Sequence, residues 1–193
     1  MKICIYCASS ATVDESYFLA TERLAREILQ ENIEVVFGGG AGGLMGRLAD
    51  TIIAAGGRIK GIMPKFMNEV EWAHKGVSDL ELTETMHERK AKFLEGIDGI
   101  VALPGGTGTL EELLEAITLK RLGRFTKPIV ILNTNGYYEP LRQMLEKAVR
   151  ENFMHPRHLE MWTFVGEPGD VIPALRTSSS WSREAIDFAV NRR

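Results

Sequence analysis

Short apolar runs alternate with amphipathic stretches along the whole chain. Lys2–Cys7, Ile33–Phe37, Arg58–Met63, Ile100–Leu103, Pro128–Leu132 and Met161–Val165 have the length and apolar character of strands. Between them the apolar positions recur every three or four residues. Tyr17, Ala20, Leu24 and Ile28 follow a candidate N-cap at Asp14. Leu44–Ala55 reads as a helix closed by Gly56-Gly57. Glu84–Gly96, the stretch carrying Leu110, Leu113, Leu114 and Ile117, Tyr137–Glu151 and Val171–Leu175 complete the helices. Many of the strand runs show no two-residue alternation, the pattern of strands covered on both faces. The expectation is an α/β fold: a doubly wound parallel sheet with helices on both faces. Lys65–Thr83 is the least regular part. It holds Phe66, Met67, Trp72 and His74 among acids and reads as a loop or short helix over a site. Residues 1–176 are expected to form one domain. Residues 177–193 are expected to form a C-terminal tail, with a hinge at Thr177–Ser180 before a helical stretch at Trp181–Arg193.

Composition narrows this little. A length of 193 residues suits one domain, and 45% hydrophobic with 25% charged residues is ordinary for a globular chain. A net charge of -3 offers no basic surface for nucleic acid or anionic membrane. No apolar run approaches the ~18 residues of a membrane span. The N-terminus reads as a strand, too short in its apolar part for a signal peptide. With two cysteines and no export signal, the expected compartment is the reducing cytoplasm. Cys4-x-x-Cys7 has redox spacing, yet on a strand the two thiols point to opposite faces, so packing explains them better. His155-x-x-His158 lacks an acid or cysteine in the right context, and no metal site is expected.

The chemistry concentrates in Gly99–Glu115, GIVALPGGTGTLEELLE: a buried strand, a Gly-rich turn and a helix. Glycines let backbone N–H groups approach a ligand, and the first helical turn adds free donors and the positive end of the dipole. Gly105, Gly106, Thr107, Gly108 and Thr109 therefore form a socket for an anion, with Glu112 one turn on and facing it. A second Gly-rich loop, Gly38-x-Gly40-x-x-Gly43, matches the dinucleotide fingerprint in form. The following strand, Arg58–Met63, carries no acid for a ribose hydroxyl, which argues against NAD and for part of a smaller nucleotide. Ser9, in the loop after the first strand, is a candidate phosphate or ribose contact rather than a nucleophile. Arg89-Lys90 could be a solvated basic face or a functional pair.

These motifs resemble those of the LOG ("Lonely guy") phosphoribohydrolases, some of which are labelled possible lysine decarboxylases. Pro104-Gly105-Gly106-x-Gly108-Thr109-x-x-Glu112 is similar to that family's signature, and Met86-His87-Glu88-Arg89-Lys90 resembles its second motif. Gly38–Gly46 is similar to its first loop, with Gly40, Gly42 and Gly43 in it, and Asn133-x-x-Gly136-Tyr137-Tyr138 resembles a later landmark. The resemblance covers about residues 1–175. It implies a Rossmann-like fold and a homodimer, in some members a larger assembly, with the site beside the interface. It implies hydrolysis of a nucleoside 5′-monophosphate, such as a cytokinin riboside 5′-monophosphate or AMP, to free base and ribose 5-phosphate, without a cofactor. By this resemblance Arg89 and Glu112 are the catalytic pair; charge pairing with Arg89 is expected to keep Glu112 ionised. Lys90, Gly106, Thr107, Gly108, Thr109, Leu110, Glu111 and Thr118 match nucleotide-contacting positions. Thr107 stands where a larger residue is frequent, Asn135 where an Asp is frequent, and Glu69 or Glu71 could supply the family's substrate-contacting Glu. The rival readings are a non-catalytic nucleotide or cofactor carrier on this fold, an amino-acid decarboxylase, and a signalling role for the tail.

Overall fold

The computed structural model describes residues 1–69, 72–178 and 181–189. Glu71, the Ser179-Ser180 part of the expected hinge and the end of the tail from Val190 lie outside the described residues. Seven strands form one parallel sheet: β1 Lys2–Tyr6, β2 Glu34–Phe37, β3 Ile59–Pro64, β4 Asp79–Thr83, β5 Gly99–Ala102, β6 Ile129–Leu132 and β7 Thr163–Val165. Their order is β4-β3-β2-β1-β5-β6-β7. The chain thus grows one way from β1 to β4, returns to the other side of β1, and grows outward again. The loops after β1 and β5 leave toward opposite faces, which opens a crevice between them.

The helices are α1 Glu15–Gln30, α2 Gly43–Ala54, α3 Lys65–Glu69, α4 Met86–Phe93, α5 Thr107–Arg121, α6 Glu139–Arg150 and α7 Val171–Thr177. Alternate strand residues feed two cores. Ile3, Ile5, Val35, Phe37, Val101 and Leu103 meet α1, α2 and α7 on one face. Cys4, Tyr6, Val36, Ile62, Ile100 and Ala102 meet Phe93 of α4 and Leu113, Ala116 and Ile117 of α5 on the other. Cys4 and Cys7 fall in separate cores as free, buried thiols, which leaves them packing roles.

Two expectations needed correction. The irregular Lys65–Thr83 segment contains the extra strand β4, whose acids Asp79 and Glu81 face Lys60 of β3 at 3.8 and 2.8 Å. An edge strand exposed along one side can be this polar. Leu114, placed with the apolar stripe of α5, is 40% exposed; the buried stripe runs through Thr109, Leu113, Ala116, Ile117 and Lys120. In the tail, Arg183–Phe188 is a 3₁₀ helix, held to the body by buried Trp181, whose indole donates to Lys120 O at 2.6 Å.

Candidate active site

A cavity of about 740 Å³ opens outside the carboxyl ends of β1, β2, β3 and β5. Its floor is the loop after β1, Cys7 to Ser10, and its walls are Gly38, Gly40, Ala41 and Gly42 on one side and Gly106–Thr109 on the other. The Gly106 N-cap of α5 provides no side-chain cap, and neither does the Gly42 N-cap of α2. The first turn of α5 therefore has no side-chain cap at the cavity wall, with the positive end of the dipole beside it, whereas in α2 Met45 N already donates to Ala8 O at 3.2 Å. That arrangement favours an anionic ligand.

The PGG turn is braced from behind. Tyr137 Oη donates to Gly105 O and Tyr138 Oη to Leu103 O, both at 2.7 Å, while Ala8 N donates to Pro104 O at 3.2 Å. A Cβ on Gly105 would overlap Thr109 Oγ1, so the turn can fold onto α5 only without a side chain there. The two tyrosines hold the loop without lining the cavity. Their sequence signal is the Tyr-Tyr pair just after β6.

Arg89 is buried, at 7% exposure, and so is Lys90, at 9%; neither lies on a solvated face. Thr85 caps α4 by accepting from Glu88 N at 3.1 Å, which sets the helix phase. Arg89 then reaches under the sheet ends: Nε donates to Ile62 O at 3.0 Å and Nη2 to Gly38 O at 3.2 Å. Its guanidinium lies 4.9 Å from the centre of the Phe93 ring. A Cβ on Gly38 would stand 2.6 Å from Nη2, so a side chain there would have to displace the guanidinium. Nη1 faces the Glu112 carboxylate at 3.5 Å in the cavity wall. Burial pushes the Glu112 carboxyl up to about 7, against the opposing pull of Arg89. This revises the expectation that Arg89 keeps Glu112 fully ionised. The cost of burying the carboxylate outweighs the ion pair.

Ser9, Gly40, Gly42, Met86, Arg89, Gly106, Thr107, Gly108, Thr109, Glu111 and Glu112 line this cavity. Gly43, Lys90, Gly105, Leu110 and Thr118 are not among the lining residues. Gly43 packs under the Ser9-Ser10 backbone. Lys90 ties α4 to α5 through Glu111 at 2.5 Å and Glu115 at 3.2 Å. Leu110 packs against the core, and Thr118 is exposed with its hydroxyl on Leu114 O at 2.8 Å. Glu69 is exposed on α3 and is likewise not a lining residue. Met67 and Trp72, from the segment expected to lie over a site, join the lining together with Met45 of the first Gly-rich motif and Met63.

The fold and the site together define a doubly wound α/β domain with a cavity at the carboxyl ends of its strands, lined by a buried carboxylate–guanidinium pair. Residues 45–175 match a family model described as "Possible lysine decarboxylase". Cytokinin riboside 5′-monophosphate phosphoribohydrolase LOG1 of Arabidopsis thaliana is 41% identical, the match covering 97% of this chain and 93% of the relative. The probable cytokinin riboside 5′-monophosphate phosphoribohydrolase LOGL2 of Oryza sativa subsp. japonica is 36% identical over 98% of this chain and 82% of its own length. The chain belongs to the LOG family. Among solved structures, a molybdenum cofactor binding protein from Rippkaea orientalis superposes with a TM-score of 0.68, covering 91% of this chain and 95% of its own, at 19% identity. That likeness is one of fold.

Proposed function

We propose that this protein hydrolyses the N-glycosidic bond of nucleoside 5′-monophosphates, with cytokinin riboside 5′-monophosphates and AMP as its substrates. The products are a free base and ribose 5-phosphate. The observation that carries the proposal is the Arg89–Glu112 pair, 3.5 Å apart on the wall of a cavity that the N-terminus of α5 also lines. LOG1, at 41% identity, is a phosphoribohydrolase and LOGL2, at 36%, a probable one, whereas the cofactor-binding neighbour shares only the fold, at 19%. This favours the hydrolase over a carrier. Among the described lining residues there is no lysine to hold pyridoxal phosphate, which disfavours the decarboxylase.

Cleaving a ribosyl C–N bond builds positive charge on the sugar. In the proposed mechanism the phosphate sits against the N–H groups of Gly106–Thr109, which anchors the ribose beneath Arg89 and Glu112. As a carboxylate, Glu112 stabilises the sugar cation and orients the attacking water. With its pKa near 7 it can also take that water's proton. Arg89, held by two backbone carbonyls, has Nη1 turned toward Glu112 and presents it to sugar hydroxyls or the departing base. Ser9 and the Gly40–Gly42 loop contact the rest of the nucleotide.

A homodimer is part of the proposal. The outer face of α5 exposes Leu114 and Thr118, and a second copy covering it would bring Lys90 and Thr118 next to an interface. Light scattering would report the assembly. The proposed compartment is the cytoplasm, where Cys4 and Cys7 stay reduced; no helix among the described residues is long and apolar enough to cross a membrane. The deciding test incubates the purified protein with a panel of nucleoside 5′-monophosphates, isopentenyladenosine 5′-monophosphate included, with chromatographic detection of free base. Free base is expected. Its absence across the panel would overturn the assignment.

A further inference from the structure

We propose that Trp72 is the platform on which the enzyme reads the base, by stacking against its face rather than by hydrogen bonds to its edge. The inference rests on the phosphoribohydrolase reading, which sets where phosphate and sugar lie. The phosphate socket follows β5, and the two carbonyls that seat Arg89 belong to Ile62 in β3 and Gly38 just after β2. From β5 across β1 and β2 to β3 is three strand spacings, about 14 Å in all. A nucleotide anchored by phosphate at β5, with its sugar under Arg89 and Glu112, sends its base toward the ends of β2 and β3.

The lining on that side is of one chemical kind. Met45, Met63, Met67, Met86 and Trp72 supply it, together with the backbone of the first Gly-rich loop. Apart from Arg89, the only hydrogen-bonding side-chain group among these described residues is the indole N–H. Thioethers and an indole grip an aromatic ring through its face and edges and carry little information about its polar rim. A base here is selected by its flat area.

Trp72 is placed for this. Its side chain is 58% exposed, whereas Trp162 and Trp181 are 8% and 6% exposed. Its backbone is nonetheless fastened. Trp72 O accepts from Ala41 N at 2.9 Å, Ala73 forms a bridge with Gly40, and His74 N donates to Gly39 O at 2.9 Å. The His74 ring is in turn held by Asp50 at 3.0 Å. A fixed backbone carrying an uncovered indole over a cavity loses little entropy when a ring stacks on it. Neither packing nor the fold requires a tryptophan there.

The experiment compares wild type, Trp72→Ala and Trp72→Phe with AMP, CMP and ribose 5-phosphate. Since base–aromatic stacking is lost in the alanine variant, KM for AMP is expected to rise at least about five-fold, with a far smaller change in kcat. Inhibition by ribose 5-phosphate, which has no base, should be unchanged, and Trp72→Phe should recover most of the loss. CMP, with its smaller ring, should be the weaker substrate and show the smaller effect. AMP should quench the tryptophan fluorescence of wild type but not of Trp72→Phe, and ribose 5-phosphate should quench neither. Unchanged KM in Trp72→Ala, or equal weakening of ribose 5-phosphate, would overturn the platform. Quenching by AMP without release of adenine would uphold the platform and remove the hydrolase. Adenine release with no quenching and no KM effect would do the reverse.

Discussion

Replacing Glu112 by glutamine should inactivate the enzyme and stabilise it in the same step. The side chain is 11% exposed, and burial raises its carboxyl from 4.5 to about 7 in the folded protein. The folded state therefore holds the proton more tightly than the unfolded chain does. Below about pH 4.5 both states are protonated and the site carries no penalty. As pH rises through 7 the folded protein must house a charge that the unfolded chain leaves in water. A rise of that size corresponds to about 3 kcal/mol of stability, lost between pH 4.5 and 7. Glutamine has the same shape and stays neutral. Glu112→Gln should match the wild-type Tm near pH 4.5 and exceed it at pH 8 by several degrees, at roughly 2–4 °C per kcal/mol for a chain of this size. Turnover of AMP should fall by about 10²–10³, the usual effect of removing one aimed electrostatic group. Wild-type kcat/KM should climb with pH and level off above about 7, as the carboxylate forms, and that limb should vanish in the variant. Scanning calorimetry at the two pH values and base release across pH 5–9 measure all three. Full turnover in the variant would refute the reasoning outright. An inactive variant less stable at pH 8 than wild type would show that the carboxylate chiefly neutralises Arg89.

Arg89→Lys should lose about 10² or more in turnover, because an ammonium cannot donate to Ile62 O, Gly38 O and the substrate from one planar fork; wild-type kinetics in this variant would make Arg89 a structural charge. Lys120, buried beside Lys127 O at 2.8 Å, is pushed down from 10.5 to about 8. The folded protein gives up this proton before the unfolded chain does, so wild-type stability should gain from this group between pH 8 and 10.5, and Lys120→Met should lose that gain in paired denaturation curves. Trp181→Ala opens a cavity over the far end of α5 and should cost about 3–5 kcal/mol, read as a lower denaturation midpoint, with base release intact where the variant is folded.

How far the sequence speaks for the structure depends on where each signal arises. Runs such as Ile100–Leu103 and Ile129–Leu132 announce themselves because both faces of the strand are covered, so every residue is apolar. The edge strand DLELT does not, because its acids are matched by Lys60 and Lys92 from other elements, and that match is invisible before folding. The PGG turn and Glu112 are legible because their chemistry is local to one strand–turn–helix unit. The seat of Arg89 is not: its two acceptors are 27 and 51 residues away along the chain, and they are backbone atoms with no side-chain signature. The raised titration of Glu112 is hidden for the same reason, since the charge partner is legible in the motif but the depth of burial is not. Leu114 shows the converse error, an apolar residue at helical spacing that the packing leaves outside.

Because main-chain oxygens from two strand ends clasp the guanidinium, no side-chain exchange at Ile62 can delete either acceptor. The helix that carries Arg89 supplies the arm but not the socket. Its outward residues, and the methionines beyond it, are free to be rewritten as ligand preference changes, while the cation stays in register with the carboxylate. Divergence in what is recognised is thereby uncoupled from what is done to it.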